Sequence, residues 1–216
     1  MARRAQGTSA GLSRERIATA AVALVDRDGL ERFGVRRLAE ELGVDPMSIY
    51  HHIKGKAALL DAVSEAVLTE VADAADDTSD DWAQVARRTA HSYRDMAYRH
   101  PRVFPLLTTR AQTSPVALTA LERLVTAMRG AGLPDPVVAD APLTLFGFLN
   151  GYLLAVLSGE ADKPTEAAPP IDPAEFPALA ALAPLQTGFG SVAEFDRILD
   201  TVLAGIRERA IRDGAR

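Results

Sequence analysis

Residues 35–60 read VRRLAEELGVDPMSIYHHIKGKAALL, and this stretch decides the fold. Apolar side chains recur at helical spacing on both sides of Gly43, and glycine permits the left-handed backbone that a tight turn needs. Asp45 is a favourable N-cap for the helix after the turn, and Pro46 fits its first position, where a missing N–H costs nothing. Two short helices joined by a glycine turn form the helix-turn-helix pattern, whose second helix enters the major groove of DNA.

The rest of the chain has the same helical periodicity, without an alternating strand pattern of useful length. The sequence therefore predicts an all-α protein. Its caps and helix breakers predict helices over about residues 13–28, 35–42, 46–53, 56–77, 81–100, 103–110, 115–130, 136–158, 174–183 and 192–212. We expect a basic, disordered arm over residues 1–12, a DNA-binding domain over 13–57 and a larger helical domain over 58–216.

Composition excludes several classes of protein. Among the 216 residues, 48% are hydrophobic and 25% are charged, which is the balance of a soluble globular protein. The chain has no cysteine, so disulfides, thiolate zinc sites and cysteine nucleophiles are excluded. The net charge of -5 is unevenly divided. Residues 1–60 hold ten Lys and Arg against seven Asp and Glu, a net of +3, and the remainder carries -8. We expect a basic module on an acidic body.

Neither the start of the chain nor its most apolar stretch indicates a membrane protein. The basic residues 1–4 are followed by polar residues, so the start of the chain does not resemble a signal peptide. The most apolar stretch, Val137–Gly159, contains Asp140, Pro142 and Asn150 and no run of about 18 apolar residues, so we interpret it as a buried helix. A cytoplasmic protein without a membrane partner is expected.

Residues 43–60 resemble the signature of the TetR family of bacterial repressors, and the tetracycline-repressor branch is the most similar. The shared core is Tyr-x-His-aliphatic-x-x-Lys-x-x-Leu-Leu, which here begins at Tyr50. The similarity in motif covers about residues 13–62, and the remainder shares only length and helical architecture. Gly34 departs from the pattern, because a Ser or Thr cap is common there. The resemblance implies a transcriptional repressor that binds an operator in double-stranded DNA and is released by an unidentified small-molecule effector.

Candidate DNA contacts lie at the start of the second helix, along the third and at the start of the fourth. They are Arg36, Arg37, Pro46, Met47, Ser48, Tyr50, His51, His52 and Lys56. By the resemblance, Arg36 is the best candidate for reading a guanine edge. Met47 offers apolar contact with a thymine methyl, and Lys56 lies at a helix N-terminus that attracts phosphate.

Simpler interpretations of these residues remain open. Tyr50 could cover the core, the two histidines could be ordinary surface residues, and the arginine pair could be a solvated basic face. A shared metal is disfavoured for His51 and His52, because adjacent helical side chains diverge by about 100°.

A reader of this type has to be a dimer, since one short helix reads only a few base pairs and a two-fold dimer matches a palindrome. Small residues recur every four positions at Gly147, Gly151 and Ala155. The last helix has an apolar stripe that includes Phe195, Leu199, Val202 and Ile206. We expect these two helices to pair with their symmetry mates in a four-helix bundle. The alternative is that both stripes pack inside one chain.

Effector binding is expected in the larger domain, which the resemblance implies has a cavity between its helices. The candidate ligand residues are Trp82, Thr89, Tyr93, Met96, His100, Phe104, Phe146 and Asn150. A mostly apolar cavity with a few polar groups is typical of small-molecule sites. The same stripe could be plain core, and His100 could act only as a cation at the end of its helix.

The sequence disfavours two other functions, an enzyme and an interaction module. An enzyme is disfavoured because there is no Glu-x-x-His pair for a di-iron site and no phosphate-binding loop. A helical interaction module without DNA binding is disfavoured by the intact set of Arg36, Tyr50 and Lys56. No cofactor or metal is expected. The sequence leaves repression and activation undecided, together with the operator and the effector.

Overall fold

The computed structural model describes residues 11–74, 81–160, 171–185 and 188–215, and almost all of the expected arm lies outside these ranges. Within them the chain is all α-helical, as its periodicity predicts. The helices are α1 Arg14–Asp28, α2 Val35–Leu42, α3 Pro46–His52, α4 Gly55–Ala74, α5 Trp82–Arg99, α6 Phe104–Thr109, α7 Pro115–Gly130, α8 Asp135–Glu160, α9 Pro177–Leu182 and α10 Val192–Gly214. Short 3₁₀ turns follow α1 and α9.

Helix starts follow the capping residues in the sequence. The Asp45 carboxylate accepts the N–H of Met47 at 2.8 Å and so caps α3. The Ser191 hydroxyl accepts the N–H of Glu194 at 3.2 Å and caps α10. In a standard capping box the glutamate would return to the N–H of Ser191, but here it accepts the N–H of Gly190 at 2.8 Å.

The turn between α2 and α3 depends on its glycine. Gly43 has φ +66° and ψ +31°, the left-handed conformation that other residues adopt at a cost. The N–H of Gly43 bonds to the carbonyl of Glu40 at 3.2 Å, and the N–H of Val44 bonds to that of Ala39 at 3.0 Å. These bonds satisfy the last carbonyls of α2 while the chain reverses into α3.

The chain divides into two compact units, and the first comprises Met1–Ser79 and Arg88–Arg123. In this unit α1 packs on α2 and on α4, α2 packs on α3, and α4 contacts α6. The side chains at these contacts are almost completely buried: Ile17, Leu24, Val25, Leu38, Ile49, Ile53, Leu59 and Val63. A continuous apolar core therefore fixes the helix-turn-helix on α1 and α4.

The second unit comprises Asp80–Arg87 and Leu124–Arg216, and its core forms where α8 packs on α10. Four aromatic rings anchor the start of α10: Phe148, Tyr152, Phe189 and Phe195. The ring of Tyr152 lies 5.6 Å from that of Phe195, and its hydroxyl donates to Glu194 at 2.9 Å. The carboxylate that receives the N–H of Gly190 thus also holds α10 on α8.

The apolar stripe of α10 faces inward, which changes the expected dimer surface. Phe195 and Leu199 are fully buried and Ile206 is 6% exposed within a single chain, because they pack in the core of the second unit. Val202 is half-buried. Phe195, Leu199 and Ile206 are therefore covered by their own chain, and the α10 part of the expected dimer surface stays a prediction.

Helix α8 is long and apolar enough, by length and composition, to cross a membrane, because an 18-residue window within Asp135–Ser158 has a mean hydropathy of 1.5. Core helices of soluble proteins pass the same test. Leu145, Leu149 and Leu153 form a row of fully buried side chains along this helix, which is the pattern of a core helix.

The compact units do not divide the chain at residue 57. Because α4 packs along α1, the whole of Gly55–Ala74 belongs to the first unit. The domains expected over residues 13–57 and 58–216 stay a prediction.

Candidate nucleic-acid interface and effector site

Helix α3 has one buried side and one exposed side. Ile49 and Ile53 are at most 1% exposed and point into the first unit. Met47 is 61% exposed and Tyr50 is 38% exposed. The other candidate contacts on this helix are half-buried or exposed: Pro46, Ser48, His51 and His52. The exposed side therefore presents a thioether, a phenol and two imidazoles, which are groups that can contact base edges and phosphates.

Two cations flank this surface. Arg36 lies in the first turn of α2, and Lys56 lies in the first turn of α4. Both side chains are exposed, and neither forms an ion pair with any residue that the structure describes. Gly34, the N-cap of α2, offers no side chain to the first N–H groups of that helix. Positive charge and N–H donors are thus present together at the start of α2, where a phosphate would be stabilised.

Arg37 has intramolecular partners, unlike its neighbour. Its guanidinium donates to the Asp28 carboxylate at 2.9 Å and to the Arg32 carbonyl at 3.4 Å. Arg27 donates to Glu41 through two nitrogens, at 3.2 and 2.8 Å, and also to Asp28 at 3.4 Å. We call the group of Arg27, Asp28, Arg37 and Glu41 the α1–α2 network.

Hydrogen bonding within the α1–α2 network favours the charged forms of Arg27, Asp28 and Glu41. Hydrogen bonds from Arg27 hold the pKa of the Asp28 carboxyl below its ordinary value. The same guanidinium lowers the pKa of the Glu41 carboxyl, again chiefly by hydrogen bonding. The pKa of Arg27 is raised in return.

His100 binds two carboxylates of its own chain. Its Nδ1 lies 2.6 Å from an oxygen of Asp26 in α1, and its Nε2 lies 3.1 Å from an oxygen of Glu70 in α4. Arg99 also pairs with Glu70, and the Arg102 guanidinium donates to the carbonyls at the end of α1. His100 was expected to contact an effector, but both ring nitrogens already have partners that connect the link between α5 and α6 to α1 and α4.

The remaining candidate ligand residues fall into two groups. In the first unit Thr89, Tyr93, Met96 and Phe104 are at most 5% exposed, and the rings of Tyr93 and Phe104 meet edge to face with centroids 5.8 Å apart. Burial raises the pKa of the Tyr93 hydroxyl. In the second unit Trp82 is buried under the Arg207 guanidinium, which lies 5.7 Å from its ring. Phe146 and Asn150 are half-buried there. The role of both groups in binding a ligand stays a prediction.

A groove of about 450 Å³ runs between α1 and α4 in the first unit. It is lined by Arg14, Glu15, Ala18, Thr19, Ala62, Glu65, Ala66 and Thr69, none of which was expected to bind an effector. The Arg14 guanidinium and the Glu65 carboxylate pair across it at 3.2 Å. Two of its three charged side chains therefore pair with each other, and we assign no ligand to it.

The small-residue row of α8 lies on the surface of the single chain. Gly147, Gly151 and Ala155 are all exposed. A Cβ added at either glycine would meet no atom within 4 Å. Leu143, one helical turn before Gly147, is 78% exposed. A leucine so exposed beside a smooth row of small residues suits close packing against another helix.

Sequence reasoning missed the partners of the charged residues. The sequence predicts neither the Asp26–His100–Glu70 cluster nor the α1–α2 network. Of the four aromatic rings at the start of α10, the sequence pattern indicates only Phe195. The aromatic spacing around Phe148 and Tyr152 was a signal that could have been used.

Two family models match the chain over most of its length. The model described as "Bacterial regulatory proteins, tetR family" matches residues 17–63, which contain α2 and α3. The model described as "Tetracyclin repressor-like, C-terminal domain" matches residues 74–210, more than half of the chain.

Individual proteins are similar over comparable lengths. The tetracycline repressor protein class A from transposon 1721 of Escherichia coli is 30% identical over 89% of each chain. The HTH-type transcriptional repressor DrrR1 of Streptomyces coeruleorubidus is 31% identical, and the match covers 69% of this chain but only 55% of DrrR1. The crystal structure of the TetR family protein ActR of Streptomyces coelicolor, in complex with actinorhodin, superposes with a TM-score of 0.80 at 28% identity, covering 93% of this chain and 98% of ActR.

Proposed function

The chain belongs to the tetR family of bacterial regulatory proteins and is therefore a DNA-binding transcriptional regulator and not an enzyme, and we propose that it is a ligand-released repressor. It binds a palindromic operator as a homodimer in the cytoplasm and leaves that operator when a small-molecule effector binds. The observation that carries this proposal is the exposed side of α3, flanked by Arg36 and Lys56, which form no ion pair among the described residues.

Each exposed residue has a distinct role in this proposal. Arg36 donates to the O6 and N7 atoms of a guanine, and Met47 contacts a thymine methyl. Tyr50 and Lys56 bind phosphates and fix the depth at which α3 enters the major groove. Pro46, Ser48, His51 and His52 complete the contact surface.

Dimerisation follows from the surface of the second unit. The exposed row of Gly147, Gly151 and Ala155 packs against its symmetry mate, and Leu143 extends this contact by one turn. In a two-fold arrangement the same surface serves both protomers, and the two α3 helices face successive major grooves about 34–36 Å apart.

The effector is a small molecule that binds among the helices of the larger domain. Its binding has to favour a conformer whose two α3 helices are wrongly spaced, since a ligand with equal affinity for both conformers would shift nothing. The structure of ActR with actinorhodin shows that a relative of similar length binds a small molecule. Within the first unit, Thr89, Tyr93, Met96 and Phe104 are the residues we propose to contact the effector, and within the second unit the candidates are Trp82, Phe146 and Asn150.

DNA reading is tested by fluorescence anisotropy with labelled DNA from upstream of the protein's own gene, in near-physiological salt with excess unrelated DNA. We expect saturable binding by two protomers. Arg36→Ala weakens operator binding by about 1–3 kcal/mol, or roughly 5- to 150-fold, and relaxes the preference at one position of each half-site. The control is Arg129→Ala, which removes an exposed arginine of α7 and leaves affinity unchanged. Equal loss in both variants would contradict the assignment of Arg36.

Dimerisation is tested by sedimentation at micromolar concentration. Gly151→Arg places a long cation on the proposed interface and shifts the protein to monomers. Gly130→Arg is the control, because Gly130 ends α7 and also has no atom within 4 Å of an added Cβ. A parent protein that sediments as a monomer, or a Gly151→Arg variant that stays dimeric, would refute the proposed interface.

A further inference from the structure

Arg36 and Arg37 are adjacent in sequence but differ in their surroundings. Arg36 is exposed and makes no ion pair within the described ranges. Arg37 is also partly exposed, yet its guanidinium is held by the Asp28 carboxylate at 2.9 Å. Asp28 is only 17% exposed and accepts hydrogen bonds from Arg27 as well. A shared and largely covered carboxylate is a fixed partner, not an incidental surface contact.

The α1–α2 network connects both ends of α2 to the end of α1. Arg37 in the first turn of α2 reaches Asp28, and Glu41 in its last turn receives two hydrogen bonds from Arg27. Helix α2 is eight residues long, and its buried residues are Leu38 and Ala39. The packing of α2 on α1 and α3 holds the helix in place, and the two polar bridges, one at each end, add a constraint on its rotation about its own axis.

Rotation of α2 matters because Arg36 lies on it. Successive helical residues point about 100° apart, so a change in the rotation of α2 re-aims the Arg36 guanidinium. A bidentate contact with guanine requires that guanidinium to lie in the plane of the base pair. If Arg37 left Asp28 to bind a DNA phosphate, the Asp28 carboxylate would lose one hydrogen-bond donor. It would also lie close to the negative charge of that phosphate.

We propose that Arg37 is a positioning residue for operator recognition and not a phosphate contact. With Asp28, Arg27 and Glu41 it fixes the rotation of α2, and through α2 it aims Arg36 at its base. This role rests on the proposed function, because it concerns how the same DNA surface achieves specificity. It replaces the expectation that Arg37 binds DNA directly.

Salt dependence separates the two roles on a non-specific duplex, so this test needs no operator. Each lost phosphate contact lowers the slope of log Kd against log salt by about 0.9, or about 1.8 for a dimer that loses one contact per protomer. We expect Arg37→Gln to leave this slope unchanged. Lys56→Gln, the matched control at an exposed cation that pairs with no residue in the described part of the chain, should lower it by that amount.

Operator binding provides the second readout. Arg37→Gln and Asp28→Asn should each weaken binding to the selected operator by roughly threefold to tenfold, and the double variant should be no weaker than either single variant, because both remove the same bridge. The loss should be confined to the half-site position that Arg36→Ala relaxes, which a general loss of stability would not produce. Thermal unfolding of each variant confirms that it is folded at the assay temperature.

Two results would overturn the proposal. One is a fall in salt slope for Arg37→Gln equal to that for Lys56→Gln. The other is additive losses in Arg37→Gln and Asp28→Asn, or no loss at all. If the parent protein shows no preference for any operator, the proposed function fails, while the slopes on non-specific DNA still decide whether Arg37 contacts phosphate.

Discussion

The two sides of α3 should respond to substitution in opposite ways. Ile49→Ala removes three carbon atoms from a side chain that has no exposed surface. At about 0.8 kcal/mol per buried CH₂, with a further cost for the cavity left behind, the unfolding free energy should fall by about 3 kcal/mol. Met47→Ala removes a similar volume from a side chain that is 61% exposed, and should change stability by less than about 0.5 kcal/mol.

Urea unfolding, monitored by circular dichroism at one fixed protein concentration, measures the first effect, since the stability of a dimer depends on concentration. Fluorescence anisotropy with the operator duplex measures DNA binding, which Met47→Ala should weaken roughly threefold to tenfold because its apolar contact is lost. If Met47→Ala destabilised the protein as much as Ile49→Ala, or if Ile49→Ala cost less than about 1 kcal/mol, the assignment of the two sides of α3 would be wrong.

Three further outcomes follow from the geometry. Gly43→Ala should lower the unfolding free energy by about 1–2 kcal/mol, because alanine is strained at φ +66° although there is space for its Cβ; an unchanged melting temperature would contradict this. Tyr152→Phe should cost about 1 kcal/mol in urea unfolding through the lost bond to Glu194, and no cost would mean that water replaces the bond. The lowered pKa values of Asp28 and Glu41 mean that their pairing stabilises the fold above the ordinary carboxyl values of 3.8 and 4.5 and is lost as pH falls through the folded values. Stability of the parent should therefore fall more steeply below about pH 3.8 than that of Asp28→Asn, and parallel curves would contradict the network.

Local signals in the sequence were sufficient for the fold. Gly43, Asp45 and the serine cap of α10 act on residues within four positions of themselves, so their effects can be inferred from adjacent residues. The spacing of Ile49 and Ile53, one helical turn apart, predicts that they share one side of α3, and both are buried. The family was identified from residues 43–60 for the same reason, since the motif is contiguous.

Residues whose partners are distant in sequence were harder to assign. The spacing of His100 on its helix suggested a ligand pocket, but its partners Asp26 and Glu70 lie 74 and 30 residues away. Periodicity shows that the Phe195 stripe is apolar but not whether its own chain or another one covers it. The sequence favours Arg36 as the base-reading residue but does not show that Arg37 is already paired, because its partner Asp28 lies nine residues away.

In the proposed dimer, a two-fold pair of α3 helices reads DNA sequence. The most direct measurement is selection of bound duplexes from a random-sequence library by the purified full-length protein at near-physiological salt, with Arg36→Ala selected in parallel. We predict enrichment of an inverted repeat whose half-sites lie about one helical turn apart, or 34–36 Å, with one position per half-site losing its preference in Arg36→Ala. Enrichment of a sequence without two-fold symmetry, or no enrichment above unselected DNA, would contradict the account.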